Sequence, residues 1–138
     1  MYTYIANVIR VVDGDTVIVD IDLGFDMWVR NQSIRLEGID TPEVRTKDLR
    51  EKLAGNLAKQ RVEELIGGKQ IILKTVKDKT EKFGRMLGIL LTNEGLNIND
   101  LLISERLAVK YDGQSKDLIL DAQNRNIEYL IGQGKFKP

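Results

Sequence analysis

The sequence predicts a mainly β chain with α-helices (α+β): a five-stranded Greek-key barrel of the OB type with about three helices. Three observations point there. The first third alternates apolar and polar residues with a period of two and is broken by glycine-rich corners. One long stretch then switches to helical spacing. Two further apolar runs follow before the chain turns helical again. Three strands, a helix, two strands and closing helices is the element order of that barrel. The length of 138 residues suits one domain spanning the whole chain.

"YTYIANVIRVV" is β-branched and apolar and predicts a first strand to Val12. "DGDT" carries the Asp-Gly hairpin signal. "TVIVDIDLG" sets Val17, Val19, Ile21 and Leu23 against polar partners, as a half-buried strand does. Gly24 and Asp26 mark a turn, and "MWVRNQSIRLEG" makes the third strand. Residues 47–66 place Leu49, Leu53, Leu57, Val62, Leu65 and Ile66 on one helical face, which predicts a core-facing leucine stripe. Thr46 or Asp48 caps its start and Gly67-Gly68 ends it. "KQIILKTV" and "RMLGILL" read as two strands joined by a basic loop, 77–84. "NINDLLISERL" reads as a short helix and "AVKY" as extended chain. The segment from Ser115 reads as a last helix with Leu118, Ala122 and Tyr129 among its apolar positions.

Cysteine and histidine are both absent, which removes disulfides, thiolate nucleophiles, zinc sites of the Cys/His kind and Ser-His pairs. A general base must be a carboxylate, a lysine or a tyrosine. A bound metal would meet oxygen, which favours calcium, magnesium or manganese. No apolar run is long enough to span a membrane. The N-terminus lacks a basic segment followed by an apolar core, so the chain as written is expected to be cytoplasmic, with an exported or phage context left open. A monomer is expected. Net charge is zero, yet residues 13–43 hold eight acids and two bases, while residues 44–85 hold twelve bases and six acids. A cation site beside a polyanion site would have that pattern, and so would an interleaved solvated surface.

The acids of the first stretch cluster at corners. Asp15 begins the second strand, and Asp40 and Glu43 follow the third. In a meander these positions share one end of the sheet. Two carboxylates about 4 Å apart repel by roughly 4 kcal/mol at an effective dielectric near 20. Convergence therefore calls for a proton or a cation. Pro42 restricts Thr41 to extended backbone, which would fix the direction of the Thr41 carbonyl. Read singly, "DGDT" is equally a turn, and "DTPE" is equally a helix start with Asp or Thr as its cap. Arg35 and Arg85 are planar forks suited to an oxyanion, or else ordinary surface cations. Trp28 reads as a barrel or surface aromatic.

"VVDGDTV", "IRLEGIDTPE" and "KFGR", in that order, resemble the staphylococcal nuclease (thermonuclease) family over about residues 6–111. The resemblance implies an OB barrel and calcium-dependent cleavage of DNA and RNA, single-stranded or unwound. It implies one calcium ion held by Asp15, Asp40 and the Thr41 carbonyl, with Glu43 as general base or water-orienting group. Arg35 and Arg85 would grip the scissile phosphate, Lys82 would contact a terminal phosphate, and Tyr111 would stack on a base. Water would attack in line, leaving a 3′-phosphate and a 5′-hydroxyl. Phe83 stands where the family usually has tyrosine, which removes a hydroxyl donor and is expected to weaken exonucleolytic preference. The alternative is a non-catalytic OB module that binds nucleic acid or protein. The intact set of Asp15, Arg35, Asp40, Glu43 and Arg85 argues against it.

Overall fold

The computed structural model describes residues 2–80 and 86–137. β1 (Thr3–Asp13), β2 (Thr16–Gly24) and β3 (Met27–Leu36) form an antiparallel meander. β4 (Ile39–Asp40) has two residues, and α1 (Leu49–Ile66) follows it. β5 (Gln70–Thr80) and β6 (Met86–Leu91) complete the barrel, in which the strands close in the order β1-β2-β3-β6-β5. β3 and β6 run parallel there, while the other neighbours are antiparallel. α2 (Ile98–Ser104), β7 (Val109–Lys110) and α3 (Lys116–Gly132) finish the chain. β7 pairs with β4 in a small second sheet, Ile39 opposite Lys110 and Asp40 opposite Val109. No helix among the described residues is long and apolar enough to cross a membrane.

Alternation explains the barrel. Val17, Val19, Ile34, Leu73 and Leu90 point inward and are fully buried. Ala58, Val62 and Ile66 of α1 join them in one core. The packed face of α1 differs from the expected leucine stripe. Its buried residues are Ala54, Gly55, Ala58, Val62 and Ile66, whereas Leu53, Leu57 and Leu65 are half-buried and Leu49 is 59% exposed. Asp48 caps the helix by accepting from the backbone N–H groups of Arg50 and Glu51. The helix-start reading of "DTPE" therefore fails, because residues 41–48 lie outside helix and strand.

In α3 the buried face is Ile119, Gln123, Ile127 and Leu130. Leu118 and Tyr129, among the apolar positions read for this helix, are exposed, and the Arg106 guanidinium lies over the Tyr129 ring. Trp28 is half-buried beneath the Arg30 guanidinium, 4.8 Å from the ring centre. Asn99 of α2 ties the barrel to the β3–β4 corner. Its Nδ2 donates to the carbonyls of Glu37 and Gly88, and its Oδ1 accepts from the Leu90 N–H.

Candidate active site

Two corners of the barrel meet at one end. Asp13 pairs with Thr16 across the β1–β2 hairpin, and Thr16 stands opposite Arg35 on β3. The strand register therefore carries Asp15 next to the β3–β4 corner. The Leu36 N–H donates to the Asp15 carbonyl at 2.8 Å, and the Thr41 N–H donates to Asp15 Oδ2 at 3.1 Å. Asp15 and Thr41 are both buried. α1 holds this corner from behind. A β-carbon on Gly55 would come within 2.7 Å of the Pro42 carbonyl oxygen and 2.8 Å of the Glu43 carbonyl oxygen, so the helix touches the corner's backbone at a residue with no side chain.

Arg35 sits between the carboxylates. Its Nη2 donates to Asp40 Oδ1 and to the Ile39 carbonyl, each at 3.1 Å. Its Nη1 forms an ion pair with Asp15 Oδ2 without hydrogen-bond alignment. Burial works against the guanidinium charge, but Asp15 and Asp40 outweigh it and hold the pKa above its ordinary value. Asp40 Oδ2 accepts from Gln123 Nε2 at 3.2 Å. The two oxygens of Asp40 are thus engaged from β3 and from α3.

Two carboxylates, Asp15 and Asp40, share the guanidinium, and Asp13 stands against Asp15. Burial pushes the Asp13 carboxyl up to about 7, helped by its hydrogen bond with Asp15 and by repulsion from it. Burial also pushes Asp40 up to about 6, with the Asp15 charge adding to it and Arg35 opposing. For Asp15, burial is outweighed by hydrogen bonds from Asp13 and Thr41 and by the Arg35 charge, which hold its carboxyl below the usual range. The cluster has more negative groups than direct counter-charges, and every donor is oxygen. That chemistry suits a hard divalent cation. Among the described residues no three acidic side chains form a cage by themselves. Asp15 and Asp40 could hold such a cation only with help from a backbone carbonyl, water or substrate.

The cluster lines an open cleft of about 1130 Å³. Exposed Glu43 and exposed Tyr111 lie on its wall, and the Tyr111 N–H donates to the Gly38 carbonyl at 2.8 Å. Asp15, Arg35, Asp40, Glu43 and Tyr111 are therefore brought to one cavity, with Thr41 directly behind it. Lys82 and Arg85, expected on phosphate, lie outside the described residues, as does Phe83. Among the cleft-lining groups, Asp13, Asp112 and Lys116 escaped the sequence reading, as did Gln123, which touches Asp40 from α3. Asp13 shares the "DGD" motif with Asp15, and that was its available signal. Gln123 is a polar residue inside an otherwise apolar helical stripe. Lys116 carries no local signal.

A small OB barrel with a buried acidic cluster, an arginine at its centre and a glutamate on the rim defines a class of protein. The chain matches the staphylococcal nuclease homologue family over residues 33–129, and it belongs to that family. It is 31% identical to a thermonuclease of Staphylococcus hyicus over 74% of this chain and 56% of that protein. It is 28% identical to an uncharacterized endonuclease of Escherichia coli over 83% of this chain and 65% of that one. An uncharacterized protein of Methanocaldococcus jannaschii is 29% identical, over 94% of this chain and 70% of its own length. The chain thus spans between 56% and 70% of these relatives.

Proposed function

We propose that this chain is a calcium-dependent nuclease. It hydrolyses phosphodiester bonds in single-stranded or unwound DNA and RNA by in-line water attack, giving 3′-phosphate and 5′-hydroxyl ends. Family membership and the nuclease names of two relatives support the reaction class. The single observation that carries the reading is the arrangement of Arg35 between Asp15 and Asp40 in an open cleft that also holds Glu43.

Each residue has a chemical task. Asp15, Asp40 and the Thr41 carbonyl would hold the cation. Bound there, calcium supplies a Lewis acid that draws charge from the phosphate oxygens. Glu43 is exposed to the cleft and takes a proton from the attacking water. Arg35 gives N–H groups to a non-bridging oxygen as negative charge builds on it. Arg85 and Lys82 serve the phosphates in the same way, by resemblance to the family pattern. Tyr111 offers its ring to a base, an interaction of about 1–3 kcal/mol.

The test is digestion of single-stranded DNA and of RNA with calcium, with magnesium and with chelator, followed by end-group analysis. Cleavage is expected with calcium only, with phosphate on the 3′ end. Undiminished cleavage under chelation would reject the cation role. Glu43→Ala should stay folded and lose about 10²–10⁴ in rate. Turnover near that of the parent chain would reject the base assignment.

A further inference from the structure

The buried face of α3 is apolar except at one position. Ile119, Ile127 and Leu130 are aliphatic, and Gln123 lies among them with 6% of its surface exposed. A buried amide without a partner costs about 1–3 kcal/mol. Gln123 meets that requirement by donating from Nε2 to Asp40 Oδ2 at 3.2 Å. The other oxygen of Asp40 accepts from Arg35. We propose that Gln123 is a positioning residue: it fixes the Asp40 carboxylate and thereby ties the C-terminal helix to the strength of cation binding. This rests on the reading of Asp40 as a cation ligand given above.

The need for such a latch follows from β4. Among the described residues β4 is a two-residue strand paired with two-residue β7, and so short a ladder sets the direction of the Asp40 side chain weakly. Opposing donors on the two carboxylate oxygens set it firmly. The residue type also fits. A glutamate at position 123 would add another carboxylate beside Asp13, Asp15 and Asp40. A lysine would supply the positive charge that the cation is to bring. An amide donates a hydrogen bond and leaves the negative charge in place.

Calcium titration calorimetry on the whole chain tests this with two variants. Gln123→Met keeps length and removes the donor. Asn126→Ala removes a different anchor of α3, the bond from Nδ2 to the Ala108 carbonyl, without touching Asp40. Gln123→Met is expected to weaken calcium binding about tenfold, and Asn126→Ala to bind as the parent chain does. Equal affinity in Gln123→Met overturns the proposal. An equal loss in Asn126→Ala overturns it too, because loosening the helix would then suffice. A parent chain that binds no calcium defeats the nuclease reading along with this one. Should Gln123→Met fail to fold, the parent chain still decides: the Gln123 side-chain amide protons must shift in NMR spectra when calcium is added, and unmoved signals reject the latch.

Discussion

A methyl group on Gly14 would fall 2.7 Å from Cβ of Ala58 and 2.9 Å from Cγ2 of Thr41. The glycine of "DGDT" is thus required because α1 and the corner at Thr41 close over it. Its φ is not in the left-handed region. Gly14→Ala is expected to cost about 1–3 kcal/mol, and a urea denaturation curve without loss would show that the corner has slack. Cleavage should fall with it, since Asp15 is the next residue. At this scale the convergence of the candidate residues was legible. Asp15, Arg35, Asp40 and Thr41 come together through strand register, which alternation and turn positions encode locally. Gln123 was not legible as a partner, because its contact with Asp40 spans 83 residues and depends on how α3 docks.

The β2–β3 hairpin shows what an element can conceal. Gly24 pairs with Met27, so the loop is Phe25-Asp26, and both residues have positive φ, 53° and 59°. That is the pattern of the type I′ turn, which suits Asn-Gly far better than an aromatic residue. Phe25 is also 99% exposed, so no described packing offsets its left-handed backbone. Phe25→Asn should therefore stabilise the chain by about 0.5–1 kcal/mol. An unchanged or lower urea midpoint would mean that the phenylalanine contributes to stability in a way the fold does not explain. Strand and helix existence was legible in every barrel element, but helix faces were not. The leucines of α1 gave the stronger hydrophobic signal. Close approach to the corner at Pro42 and Glu43 instead selected Gly55, and close approach to Gly14 selected Ala58.

For the whole molecule, the barrel order follows from strands long enough to show alternation, while of the small second sheet β7 falls within the extended "AVKY" and only its partner β4 is too short to leave a pattern. That small sheet and α3 press Asp40 toward Asp15, and the repulsion this creates should be visible in global stability. Asp13 and Asp40 are pushed up from 3.8 to about 7 and about 6. The folded chain then binds more protons than the unfolded chain between those values. Stability from these two groups is full below about pH 4 and is lost as pH rises through 6 and 7. Asp15 and Asp20 act oppositely, since both are held below the usual carboxylate range and lose their contribution as pH falls through their folded values. Their window lies at lower pH, so between about pH 5 and 7.5 the raised pair dominates. With chelator present, unfolding free energy should drop across that interval by on the order of 2 kcal/mol once solvent screening is allowed for. On the proposed reading a divalent cation would take the place of the missing protons, so millimolar calcium should raise the melting temperature at about pH 7.5 and have little effect near pH 5. Asp13→Asn removes one titrating carboxylate and should flatten the profile measured in chelator. A chelated parent chain whose stability stays level or climbs between those two pH values would mean that the three carboxylates are farther apart, or better hydrated, than their burial implies.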